Sequence, residues 1–285
     1  MNPLLEVKGL CKSYRQGSVL SGRKGDRWFH AVKNVGFMVG RGETFAVVGE
    51  SGAGKSTLGR VILRLIEPDS GTLVYEGSDL LALNQRELRL SRAKMQMIFQ
   101  DPYSSLDPKL SIAASVGEPL RALTAMGRDE REARVIELLA RVGLNSDYLE
   151  RFPYELSGGQ LQRVAIARAI STNPGLIICD EPVAALDMSI RAQVLNLLKD
   201  LQEERGISYI FISHDLSLVS VLAHRLAVMR AGQIVEEGSA ERLFSDPAHE
   251  YTRQLLRSIP STNPRRRRLI VSEAKSSSRG RLAAE

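Results

Sequence analysis

ETFAVVGESGAGKST, residues 43–57, joins an apolar run to a glycine-rich turn and then to the start of a helix. ETFAVVG at 43–49 is short and apolar, which predicts a buried strand. GESGAGKS at 49–56 fits Gly-x4-Gly-Lys-Ser, and a helical pattern continues from Gly54 through KSTLGRVILRLI. A buried strand feeding such a turn at a helix N-terminus is built to cradle phosphate. The backbone N–H groups of Gly52, Gly54, Lys55 and Ser56 can ring a β-phosphate. Lys55 is placed to pair with the β- and γ-phosphates, and the Ser56 hydroxyl to meet Mg²⁺. Gly49, Glu50, Ser51, Ala53 and Thr57 complete the expected nucleotide-binding turn.

A second segment supplies acid–base chemistry. LIICDEP at 176–182 reads as a buried strand ending in two carboxylates. Ligands of parallel sheets sit at the carboxyl ends of the strands. Asp180 is therefore expected to reach Mg²⁺ through water, and Glu181 to orient the water that attacks a γ-phosphate.

A third segment, ELSGGQLQR at 155–163, looks at first like a duplicate of the phosphate turn. No buried strand leads into it, and no lysine follows its glycines. Ser157 is a good N-cap, and the two glycines let a ligand approach the backbone closely. The turn can hold an anion at its helix N-terminus without enclosing a whole nucleotide.

The remaining pattern alternates strand and helix. The first 48 residues read as strands. RQGSVLSGRKGDRWFH between them reads as a loop, with Trp28 and Phe29 anchoring entry to the next strand. GTLVYEG and MQMIFQ follow as strands, and 109–145 reads as entirely helical: SIAASVGEPLRAL, then DEREARVIELLARVG, which ends at a capping glycine. A helix from Ser157 to Ser171, a strand GLIICD, a helix at 189–204, a strand SYIFIS and a helix at 215–222 come next. The hairpin LAVMRAGQIVEEG then turns at Ala-Gly, and a last helix lies near HEYTRQLLRSI. Such alternation predicts an α/β fold with a mainly parallel sheet and helices on both faces.

Composition bounds the class. At 285 residues with 43% hydrophobic and 25% charged residues, the chain can build a sizeable core. No apolar run is long enough to span a bilayer, and the first residues do not resemble a signal peptide, so a cytoplasmic protein is expected. Cys11 and Cys179 are expected to be reduced and buried. The net charge of +6 is concentrated late: PRRRRLI at 264–270 is followed by Lys275, Arg279 and Arg281. This Ser-rich basic tail reads first as a solvated segment, with contact to anionic lipid or RNA as the sharper alternative; without interleaved aromatics it is weak evidence for nucleic-acid function, and no nucleic-acid partner is expected.

Taken in order, GESGAGKST, FQDP, LSGGQLQR, LIICDEP, ALD and SHD resemble the ATP-binding cassette (ABC) ATPases, over about Leu4 to Ile259. The resemblance implies a P-loop NTPase-type core of mainly parallel sheet, with an N-terminal antiparallel β subdomain and an inserted α-helical subdomain at about 101–172. The ATPase domain would span 1–260, and the basic tail 261–285. The ligands implied are ATP and Mg²⁺. Tyr14 would stack on adenine. Gln100 would contact Mg²⁺ or the attacking water, and His214 the γ-phosphate. Asp187 would cross a dimer interface. Ser157, Gly158, Gly159 and Gln160 would bind the nucleotide held by a second cassette, homologous or identical.

RWFHAVKNVGF, FQDPYSSLDPKLSI, HDLSLV, VMRAGQIVEEG and HEYTRQLLRSIP are similar to the dipeptide/oligopeptide/nickel importer ATPases. That similarity implies two membrane permease subunits, an extracytoplasmic solute-binding protein and a place at the cytoplasmic face of the inner membrane. Peptide is the leading solute class, with nickel or another solute as the alternative. A non-transport cassette, for example of phosphonate breakdown, is the rival. The absence of cysteine after Cys179 implies no iron–sulfur cluster.

Overall fold

Two sheets organise residues 3–16 and 27–258, the part of the chain that the computed structural model describes. The strands in chain order are β1 (Leu5–Gln16), β2 (Arg27–Val39), β3 (Thr44–Val48), β4 (Ser70–Tyr75), β5 (Ser78–Asp79), β6 (Met95–Ile98), β7 (Leu176–Asp180), β8 (Ser208–Ser213), β9 (Arg225–Arg230) and β10 (Gln233–Ser239). The helices are α1 (Lys55–Ile62), α2 (Gln85–Lys94), α3 (Ile112–Leu123), α4 (Arg128–Arg141), α5 (Gly158–Ile170), α6 (Met188–Arg205), α7 (Leu216–Leu222), α8 (Ala240–Ser245) and α9 (Glu250–Arg257).

The larger sheet has the order β10-β9-β3-β8-β7-β6. Its pairings from β9 to β6 are parallel, and β10 is antiparallel to β9. The smaller sheet, β2-β1-β4-β5, is antiparallel throughout. The expected α/β class, with a mainly parallel core and an N-terminal antiparallel sheet, is therefore the one observed.

The period-2 alternation of strands divides the interior in two. Phe45, Val47, Ile178, Ile210 and Ile212 face one side, where they meet Leu58, Val61 and Ile62 of α1 and the apolar residues of the smaller sheet. Ala46, Val48, Ile177, Cys179, Tyr209 and Phe211 face the other side, towards α3 to α6. Because both faces are covered, β3, β7 and β8 are buried at every position, which is why they read as unbroken apolar runs. Their carboxyl ends converge on the turn after β3.

Several expectations change. Trp28 and Phe29 are not loop anchors: both lie within β2 and are exposed. The two segments expected to be helical within 109–145 are α3 and α4, but the residues between and around them are not all helical: the chain leaves helical conformation at Thr124 and restarts after Gly127, the N-cap of α4. The first helix stops at Ile62, where Arg64 turns into the left-handed region at φ 49°. Cys11 is only partly buried, and both cysteines are free thiols. The segment at 17–26 and the basic tail lie outside the described residues. Among the described residues, no helix is long and apolar enough to cross a membrane.

Candidate nucleotide site

The turn at 49–54 is shaped by how closely the backbone must approach its neighbours. Gly54 sits at φ 103°, where a Cβ would come within 1.9 Å of the Ala31 carbonyl oxygen. Gly49 sits at φ 152°, and its Cβ would meet the Met229 carbonyl oxygen at 2.1 Å. Only glycine fits either place. The turn is also tied down from outside. The Gly232 N–H donates to the Ala53 carbonyl at 2.9 Å, and the Glu50 N–H donates to the Tyr251 hydroxyl at 3.3 Å.

Lys55 opens α1 and is 4% exposed. Its ammonium donates to the carbonyls of Gly49 and Glu50, each at 2.8 Å. Burial lowers the Lys55 pKa, and the nearby charges of Glu181 and Asp180 work against that shift. The Ser56 hydroxyl donates to Asp180 Oδ1 at 2.8 Å, joining the turn to the end of β7. Asp180 is 1% exposed, and burial raises its pKa.

Glu181 follows in the left-handed region, at φ 49°. That conformation costs a non-glycine residue about 1 kcal/mol or more and tends to mark functional positions. Its N–H is held by the Ile212 carbonyl at 3.0 Å. Both carboxylate oxygens are engaged: Oε1 lies 3.0 Å from His214 Nδ1, and Oε2 accepts from Gln100 Nε2 at 3.1 Å. Residues from the ends of β6, β7 and β8 thus meet at one carboxylate.

These groups line a cleft of about 640 Å³. Its wall holds Phe29, the turn from Gly49 to Thr57 except Ala53, Gln100, Glu181, His214, Leu255 and Ser258. Tyr14 is not on this wall; it is the cross-strand partner of Phe29. Asp180 lies behind Ser56. Phe29, Leu255, Ser258 and Tyr251 were not anticipated as site residues. Phe29 could have been found from its aromatic neighbourhood ahead of the turn, but the α9 residues come from some two hundred positions away.

Ser157, Gly158, Gly159 and Gln160 also lie away from the cleft wall. They form a capping box. The Ser157 Oγ accepts from the Gln160 N–H at 3.4 Å, and the Ser157 N–H donates to the Gln160 side chain at 2.9 Å. Gln160 Nε2 is further fixed by the Tyr148 hydroxyl at 2.8 Å. Gly159 is closely packed, because a Cβ there would sit 2.8 Å from the Ile190 side chain, whereas Gly158 has room for one. Ser157 and Gly158 are exposed, so the start of α5 presents its N–H groups outward. Asp187 is exposed at the N-cap of α6 and makes no side-chain cap bond.

Residues 32–184 match the sequence profile of the family described as ABC transporter. The chain belongs to that family. A second profile, the oligopeptide/dipeptide transporter C-terminal region, matches 235–283.

This cassette is 47% identical over 275 residues to a probable peptide ABC transporter ATP-binding protein of Sinorhizobium fredii, with 94% of this chain and 76% of the relative covered. It is also 47% identical to the glutathione import ATP-binding protein of Salmonella paratyphi A, covering 95% of this chain but 44% of that longer relative. Among solved structures, it resembles the dimeric ATP-binding cassette MJ0796 bound to ADP and Pi in a post-hydrolysis state. The TM-score is 0.73 at 31% identity, with 83% of this chain and 98% of that one covered. The cbiO1 subunit of a Clostridium perfringens ABC transporter complex aligns with TM-score 0.72 at 28% identity, over 86% and 92% of the two chains. This cassette is an ATP-binding and ATP-hydrolysing subunit of that family.

Proposed function

We propose that this cassette powers the import of di- and oligopeptides through separate permease subunits, from the cytoplasmic face of the membrane and paired with a second cassette. The observation that carries the solute class is the match of 235–283 to the oligopeptide/dipeptide transporter C-terminal region. The two curated relatives are named for peptide and for glutathione, itself a tripeptide, which supports the same class. A solute-binding protein on the far side of the membrane completes the proposed system.

In this reading the chain's own groups divide the chemistry. The phosphate turn binds the β- and γ-phosphates through its N–H groups and Lys55. Glu181 takes the proton of the attacking water, and Gln100 and His214 hold its carboxylate in one orientation. Ser56 and Asp180 fit Mg²⁺: they are adjacent oxygen donors, and a buried aspartate is relieved by a cation. No group of three or more His, Cys, Asp or Glu residues suited to a metal occurs among the described residues, so the ion would take further oxygens from the phosphates. When bound, Mg²⁺ supplies charge neutralisation at the transferring phosphoryl group. Tyr14 and Phe29 are proposed to receive the adenine.

The outward-facing start of α5 and Asp187 would complete the nucleotide site of a paired cassette, whose own α5 would complete this one. Pairing expels water, which strengthens the electrostatics at Glu181, and hydrolysis removes the bridging γ-phosphate so that the pair reopens. Assembly of the chain with its permeases in vesicles tests the solute class. Stimulation of ATP hydrolysis by short peptides is the expected result; stimulation only by nickel, or no dependence on any permease, would contradict it.

A further inference from the structure

We propose that α9 is a clasp on the phosphate turn and that Tyr251 is a positioning residue for ATP. The inference rests on the turn at 49–57 being the ATP site. The Gly49–Glu50 peptide group is held from two sides. Its N–H, on Glu50, donates to the Tyr251 hydroxyl at 3.3 Å, while its carbonyl, on Gly49, accepts from Lys55 Nζ at 2.8 Å. This peptide group therefore links the phosphate-binding lysine to a helix 201 positions away in sequence.

The hydroxyl that makes this bond has a fixed place. Tyr251 is 4% exposed, and the Arg230 guanidinium lies 4.7 Å over its ring. The start of α9 is pinned by Glu236, whose carboxylate accepts from the Ala248 N–H at 2.8 Å and the His249 N–H at 3.0 Å. His249 Nδ1 in turn caps the helix by accepting from the Tyr251 N–H at 3.1 Å. At its far end, Leu255 of α9 and the C-cap residue Ser258 stand in the wall of the cleft. One short helix thus touches both the backbone of the turn and the space ATP occupies.

A turn held in its binding shape before the phosphates arrive loses less freedom on binding them. Removing the hydroxyl leaves the Glu50 N–H without its partner and frees the peptide that Lys55 grips. The effect belongs to ground-state binding, because Gln100, Glu181 and His214 are untouched. Any partner that displaces α9 would loosen ATP through the same contact. That makes the C-terminal region a handle on nucleotide affinity.

The test is ATP binding and steady-state hydrolysis by the full-length chain carrying Tyr251→Phe, which keeps the ring and its packing. The expected result is a dissociation constant and a KM for ATP raised about threefold to tenfold. The kcat and the thermal midpoint should stay close to the wild type. A role in packing alone would leave the phenylalanine variant unchanged, and wild-type ATP affinity in that variant overturns the clasp. Glu236→Gln loosens the start of α9 without touching the turn and must shift ATP affinity in the same direction. It decides the matter if Tyr251→Phe fails to fold, since unchanged affinity there overturns the clasp as well. Absence of ATP binding by the wild-type chain would instead remove the nucleotide site itself, and the clasp with it.

Discussion

The Ser56 hydroxyl donates to the Asp180 carboxylate across 2.8 Å, tying the start of α1 to the end of β7. This bond stands where the two halves of the site meet, and it is made to a carboxylate that burial has pushed above its usual pKa of 3.8. The unfolded chain ionises this group first. The folded state therefore loses stability as pH rises from 3.8 to the raised value, and carries that loss at every higher pH. Asp180→Asn removes the charge and keeps an acceptor for Ser56. At neutral pH without nucleotide, its thermal midpoint should rise by roughly 2–4 °C for each kcal/mol relieved. The gain should vanish well below pH 3.8. Mg²⁺-dependent hydrolysis should fall by at least about tenfold. Calorimetry across pH, beside an ATPase assay, checks both; a lower midpoint at neutral pH would contradict the burial argument.

Phe29 lines the cleft and pairs across the strands with Tyr14. A base stacked on an aromatic ring is worth about 1–3 kcal/mol by alanine substitution. Phe29→Ala should therefore weaken ATP binding by about tenfold, and Tyr14→Ala should weaken it less. Binding of inorganic tripolyphosphate, which has no base, should not change in either variant. A parallel loss for tripolyphosphate would show that the ring supports the turn instead of the base.

Much of this site was legible because its parts are local. The strand, turn and helix at 43–57 carry their own signal: an apolar run, glycines where no Cβ fits and a lysine at the helix start. Asp180 and Glu181 were legible because β7 is buried on both faces and its apolar run stops at them. Ser157 was legible as an N-cap, and its bond to the Gln160 N–H is present.

What escaped depended on tertiary placement. α2 buries only Leu88 of its ten residues, so its charged sequence shows no apolar stripe. Tyr251 looked like one more residue of an amphipathic terminal helix, since nothing local to it points to Glu50. The meeting of Gln100, Glu181 and His214 had to be borrowed from a family resemblance, because three strand ends converge only once the sheet order is known.

Ser157 caps α5 on the surface, away from the cleft of its own chain. Ser157→Arg removes the cap, which costs about 1 kcal/mol, and fills the space in front of the exposed N–H groups. ATP binding by the isolated chain should match the wild type. ATP-dependent pairing, followed by light scattering in a Glu181→Gln background, should disappear. Loss of ATP binding by the monomer would instead put the turn at 157–160 in the cleft of its own chain.

Glu181 carries the central claim, with both carboxylate oxygens held and its backbone in the left-handed region. Glu181→Gln preserves size and one of the two acceptor oxygens but removes the base. The most direct measurement is single-turnover hydrolysis of Mg²⁺-ATP by this variant, with the oligomeric state recorded in the same sample. The account predicts ATP binding close to wild type, hydrolysis slowed by about 100-fold or more, and an accumulating ATP-bound pair. Turnover close to the wild type would contradict it, and would remove Glu181 as the group that takes the proton from water.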